Sequence, residues 1–203
     1  MLPAGCLTLL DMTTRPLHLG LDIDGVIAGY VAAHVAAAPD RVGVTIGADG
    51  GDPPTYDMVG EGWYDSTNQW RVVHNIILAD PTTFDMTDPT APEAIAALVD
   101  AGHRVDLATA RHAPTGVDYN DDLIAELTER WARSHGLHFH ELHLGFDKER
   151  HGFDDLLEDS DATVARFVRK GLPITVRDRA YNRHITGARR VHSVAEFAAP
   201  YLR

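Results

Sequence analysis

The chain has 203 residues, 44% of them hydrophobic and 24% charged, a composition that suits a globular protein with one sizeable core. Its net charge of −12 excludes a general nucleic-acid-binding surface, which needs a basic footprint. The single cysteine, Cys6, excludes an intramolecular disulfide and fits a reducing, cytoplasmic compartment, and no apolar run approaches the roughly 18 residues of a membrane span.

Residues 1–14 lack the basic start and long apolar stretch of a signal peptide and read as a flexible leader. Leu17, Leu19, Leu21 and Ile23 then mark a buried strand, which ends in two carboxylates and a glycine. Residues two apart in a strand face the same side, so Asp22 and Asp24 project together where it stops, and Gly25 lets the chain leave at a sharp angle. Carboxylates this close repel and usually need a cation or a shared proton. Metal-assisted phosphoryl transfer is therefore the first functional expectation, with two solvated aspartates as the plain alternative.

Residues 26–38 predict a helix, 39–56 a loop rich in Gly, Asp and Pro, and 69–78 a second helix behind Trp63, Tyr64 and Trp70. A proline-led helix start lies at 88–93, and its helix stops at Gly102. From there strands at 104–109, 141–145, 153–157, 173–176 and 190–191 alternate with helices at 121–134, 161–170 and 194–202. Such alternation predicts an α/β fold, a Rossmann-like parallel sheet with helices on both faces. Residues 15–27 and 89–203 form the core domain in this reading, and 28–88 is a small, mostly helical cap inserted after the first strand. Ligands of such sheets bind at the carboxyl ends of the strands, where Asp22 and Asp24 sit.

Three more strand ends carry groups that a phosphoryl-transfer site needs. Thr109, followed by Ala110 and Arg111, can offer a hydroxyl to a phosphoryl oxygen, or simply cap a turn. Lys148 can neutralise charge on nucleophile and substrate, or be ordinary surface. Glu158-Asp159 can complete a hard-oxygen site suited to magnesium, or begin a helix. His138, His140 and His143 read as a histidine-rich strand edge, since His143 would face away from the other two.

In this order, these four motifs resemble the haloacid dehalogenase-like phosphohydrolase superfamily across residues 17–203. The blocks at 22–28, 146–148, 154–159, 178–183 and 190–193 are most similar to the 5′(3′)-deoxyribonucleotidase group and its bacterial and phage relatives. The resemblance implies a magnesium-dependent phosphatase in which Asp22 attacks phosphorus and forms an aspartyl-phosphate. Asp24 protonates the leaving oxygen and then deprotonates the attacking water. It further implies magnesium held by Asp22, the Asp24 backbone carbonyl and Asp159, with Glu158 behind on a bound water, while Thr109 and Lys148 hold phosphoryl oxygens. Gly25, Tyr30, Trp63, Trp70, Ala110 and Arg111 would surround the substrate. The group has a hydroxyl residue where this chain has Ala110, and Arg111 would stand in for that hydroxyl. The implied partner is a small phosphorylated metabolite, a nucleoside 5′-monophosphate above all, and the implied assembly is a homodimer. A sugar-phosphate phosphatase or phosphomutase of the same superfamily is the alternative, and a non-catalytic phosphometabolite-binding protein a more distant one. Phosphonate hydrolysis needs a cap lysine, and residues 28–88 contain none.

Overall fold

The computed structural model describes residues 15–47, 51–80, 84–113 and 120–203; the leader expected at 1–14 lies outside them. The sheet is formed by β1 (His18–Leu21), β2 (Arg104–Thr109), β3 (Leu142–Leu144), β4 (Asp155–Glu158), β5 (Thr175–Arg177) and β6 (Arg189–Val191). The helices are α1 (Tyr30–Val42), α2 (Thr67–Ala79), α3 (Ala91–Asp100), α4 (Asp121–Ser134), α5 (Asp161–Lys170) and α6 (Val194–Ala198).

All six strands are parallel, in the order β3-β2-β1-β4-β5-β6. The winding reverses at β1, so the crevice at its carboxyl end is the topological switch point where open α/β sheets bind ligands. Both faces are buried. Leu19, Leu21, Val105, Leu107 and Leu157 pack with Ile95 and Leu98 of α3, Trp131 of α4 and Phe197 of α6. On the opposite face Ala108, Leu156 and Val176 pack with Phe153 and with Val164 and Phe167 of α5. A side chain at Gly20 would run into Phe153 and Leu156 at 2.8–2.9 Å, so the central strand stays bare where that second layer presses closest.

Local chemistry accounts for most helix boundaries. Asn120, Ser160 and Ser193 each accept a backbone N–H of the first turn, at Leu123, Thr163 and Glu196. Gly171, left-handed, stops α5.

Two helices, the first and the last, depart from the sequence expectation. The first helix begins at Tyr30, not near Val26, because Ile27 and Ala28 both turn their N–H back to the Ile23 carbonyl. It also runs past Pro39 to Val42, since a proline in the last turn removes one hydrogen bond only. The last helix keeps α geometry only to Ala198 and tightens to a 3₁₀ turn over Ala199–Tyr201, around Pro200. Of the three histidines read as a strand edge, only His143 lies in a strand; the Nε2 of His143 meets Asp106 at 2.9 Å and the Nδ1 of His140 accepts the Val105 N–H at 3.1 Å.

Segment 28–88 leaves and returns side by side. Gly29 donates to the Asp85 carbonyl at 2.9 Å and Thr87 to the Ile27 carbonyl at 2.7 Å, and Ala28 forms an antiparallel bridge with Met86. Between these points α1 and α2 pack on each other. Among the described residues no helix is long and apolar enough to cross a membrane.

Candidate active site

β1 ends against the carboxyl ends of its two neighbours, β2 and β4, which sets the positions of Thr109, Glu158 and Asp159, while Lys148 comes in from the 3₁₀ turn after β3. Asp22 extends the pairing, its N–H donating to the Leu157 carbonyl at 2.9 Å. The chain then curls, and Gly25 takes a φ of +77° that side chains resist. A Cβ there would fall on the Asp159 carboxylate. Gly25 thus allows the loop after β1 and the end of β4 to approach at backbone distance.

Asp22, Glu158 and Asp159 are buried, and one oxygen from each lies within 4.8 Å of the other two. Lys148 is equally buried, with Nζ 2.9 Å from Asp22 Oδ1 and 2.7 Å from Glu158 Oε2. Glu158 is further fixed by the N–H groups of Asp159 at 3.1 Å and Ser160 at 2.9 Å. Tyr181 donates its hydroxyl to Asp159 Oδ2, and Asn182 Nδ2 holds the Asp159 carbonyl at 2.8 Å.

Three carboxylates around one ammonium leave a buried surplus of negative charge. Its consequences are visible in their acidities. Burial, and then the Glu158 charge, push Asp159 up to about 7 and raise Asp22 well above the usual carboxylate range. Burial alone would raise Glu158 too, but Lys148 and its hydrogen bonds bring it below its ordinary value. Lys148 stays firmly protonated, because Asp22 and Glu158 outweigh its loss of solvent. An all-oxygen donor set with excess negative charge fits a hard divalent cation such as magnesium.

Asp24 is outside this acidic group. Arg111 reaches it with a two-pronged contact, Nε to Oδ2 at 2.8 Å and NH2 to Oδ1 at 2.7 Å. Thr109, buried at the end of β2, has its hydroxyl 3.5 Å from Asp24 Oδ2 and accepts the Arg111 N–H at 3.3 Å. Arg111 therefore lines the site with Nε and NH2 already committed to Asp24, whereas the sequence reading gave it to the substrate.

A cleft of about 360 Å³ opens over these groups, lined also by Tyr30, Tyr56, Trp70, His74, Ala110, His112 and Phe146. Trp70 and His74 stack at 4.5 Å with their planes 14° apart. The Tyr30 hydroxyl meets His74 Nδ1 at 2.9 Å. Burial, and secondarily His112, hold His74 neutral at about 4. Trp63 is not among the lining residues; its ring packs against Gly47 and the interior of segment 28–88. Gly25 lines a neighbouring cavity of about 410 Å³ beside Arg179, which contains none of the clustered carboxylates and is not the reaction site.

Sequence reasoning assigned no role to Tyr181, Asn182, Arg179 or His74. The first three belong to the block after β5 that carried part of the family resemblance; Arg179 Nε binds the Gly25 carbonyl at 2.7 Å. His74 gave no signal beyond its position one helical turn after Trp70.

Solved structures share this architecture at low identity. A D,D-heptose 1,7-bisphosphate phosphatase from B. bronchiseptica, complexed with magnesium and phosphate, aligns with a TM-score of 0.51 and 16% identity over 92% of this chain and 98% of its own. CbbY from Rhodobacter sphaeroides, in complex with phosphate, aligns at 0.51 and 19% identity, covering 90% and 96% of the two chains. A haloacid dehalogenase-like hydrolase from Streptococcus pneumoniae reaches 0.59 at 10% identity, covering 92% and 98%. No curated protein sequence matches the chain. The family model described as 5′ nucleotidase, deoxy (pyrimidine), cytosolic type C protein matches residues 15–200. With a match across nearly all of its length, and with this fold, the chain belongs to that nucleotidase family and is a phosphatase of the haloacid dehalogenase-like superfamily.

Proposed function

We propose that the protein is a magnesium-dependent phosphomonoester hydrolase acting through an aspartyl-phosphate, with a nucleoside 5′-monophosphate as substrate. The observation that carries this reading is the end of β1. There Asp22 lies buried beside Lys148, and Asp24 is held apart from it by Arg111. One carboxylate is equipped to attack, and the other to move protons.

A carboxylate oxygen of Asp22 forms a bond to phosphorus as the ester oxygen departs, taking a proton from Asp24. A water then gives a proton to Asp24 and attacks the same phosphorus, which frees inorganic phosphate and restores Asp22. Lys148 and the Thr109 hydroxyl hold phosphoryl oxygens, and the burial of both strengthens their effect on developing charge. Asp22, Asp159 and the Asp24 carbonyl would hold the magnesium, which when bound supplies positive charge to the phosphoryl group. Glu158, locked by Lys148 and two backbone N–H groups, orients that set from behind.

Two observations favour a nucleotide. The matching family model is described as a deoxy-pyrimidine nucleotidase. The Trp70–His74 stack also presents flat aromatic surface in the cleft, suited to a base.

The test is phosphate release with magnesium from a panel of nucleoside monophosphates and hexose phosphates, with Asp22→Asn as the blank. Release from nucleotides that vanishes in the blank is expected. Equal or faster release from hexose phosphates would overturn the substrate, and turnover by the blank would overturn the mechanism.

A further inference from the structure

We propose that Arg111 is the positioning residue for Asp24, fixing both carboxylate oxygens and tying them to the return of segment 28–88. The inference rests on the mechanism above, in which Asp24 serves first as acid and then as base.

Arg111 is 2% exposed and its side chain wholly buried, so its donors must be met by protein groups. Nε and NH2 take the two oxygens of Asp24, and NH1 reaches the Thr128 hydroxyl of α4 at 3.3 Å. A two-pronged guanidinium–carboxylate contact sets the plane of the carboxylate as well as its place, which a lysine point charge cannot do. The strand end thus gives its two aspartates different cations, a lysine for the nucleophile and an arginine fork for the acid. Asp24 keeps its remaining lone pairs for the leaving oxygen and the water. Proton transfer needs a reach of about 2.6–3.2 Å, and an error near 1 Å costs about 100-fold in rate.

The guanidinium is itself clamped. Its Cζ lies 4.5 Å from the centre of the Phe84 ring and 5.6 Å from that of Trp131. Trp131 Nε1 donates to the Phe84 carbonyl at 2.7 Å, which joins α4 to the same residue. Phe84 stands where segment 28–88 returns, and the next residue, Asp85, accepts the Gly29 N–H on the outgoing side. Asp24 is therefore oriented by a stack of core and returning chain, with Arg111 as the connection between them.

Two esters separate this role from substrate binding. Nitrophenolate leaves p-nitrophenyl phosphate without needing a proton, so its first release requires Asp22 but not Asp24. Every later turnover needs Asp24 to activate water, and a nucleoside monophosphate needs it in both halves.

For Arg111→Met we expect the first p-nitrophenolate per site at a rate within about threefold of the parent. Later turnovers, and kcat on the nucleotide, should fall about 100-fold or more, with KM changed less than about threefold. Arg111→Lys, with charge but no fork, should remain at least about tenfold below the parent. A tenfold rise in KM with kcat unchanged would overturn the proposal in favour of a substrate contact, and so would equal loss in first and later turnovers.

If Arg111→Met does not fold, Phe84→Leu and Thr128→Val should show the same pattern, reduced to about three- to tenfold. Parent behaviour in both would also overturn it. Asp22→Asn keeps the two readings apart: turnover in that variant breaks the mechanism. Loss there, beside a normal Arg111→Met, breaks only this inference.

Discussion

Replacing Asp159 with asparagine should stabilise the metal-free protein. Asp159 is buried beside Glu158 and Asp22 and is pushed from 3.8 to about 7, by burial first and then by Glu158. A carboxyl whose acidity is weakened by folding binds its proton more tightly in the folded state. Stability therefore falls as pH rises through the window between the two values, at up to about 1.4 kcal/mol per unit. Keeping Asp159 ionised in the fold costs about 4 kcal/mol at pH 8 by that slope. The amide removes the charge, retains the shape and still accepts the Tyr181 hydroxyl. Urea unfolding in chelator at pH 8 should show Asp159→Asn more stable than the parent by about 2–4 kcal/mol, a gain that shrinks toward zero as pH falls to 4. Saturating magnesium should then raise the parent by about 2.7 kcal/mol at a hundredfold excess over Kd and leave the variant unmoved. A parent as stable as the variant in chelator at pH 8 would refute the argument, because the surplus charge would then cost nothing.

Lys148→Met removes the one ammonium between Asp22 and Glu158, so without metal it should lose about 3–5 kcal/mol in the same unfolding assay. Gly25→Ala should cost about 1–2 kcal/mol for its left-handed backbone. It should also abolish phosphate release, since the added methyl displaces the Asp159 carboxylate while circular dichroism stays that of the parent. Trp70→Ala should raise KM for a nucleotide about tenfold, the loss of about 1–3 kcal/mol of stacking, and leave p-nitrophenyl phosphate unaffected.

The core could be read from the sequence because its signals are local. The apolar positions Leu19 and Leu21 of one strand, and the helical spacing of Ile124, Leu127 and Trp131, each arise within a single element. The strand-end carboxylates were legible for the same reason, since a parallel sheet gathers its carboxyl ends along one edge wherever the motifs fall in the chain. What escaped depends on pairing across long separations. Nothing near residue 111 indicates that its guanidinium meets Asp24, 87 positions earlier, in preference to a phosphate. Nor does anything near Tyr181 point to Asp159. In segment 28–88 the aromatic residues looked equivalent, yet Trp70 faces the cleft while Trp63 packs against Gly47.

The paired backbone bonds at Gly29–Asp85 and Ile27–Thr87 close the base of segment 28–88. The two ends of the insert already touch, so the chain between them closes a loop on the core whatever its length. Lengthening or exchanging that excursion costs little, since loop entropy grows only with the logarithm of length. The insert supplies Tyr30, Trp70 and His74 to the cleft but none of the clustered carboxylates. Its length can therefore change at little cost, but not its returning end, where Phe84 backs the guanidinium that holds Asp24.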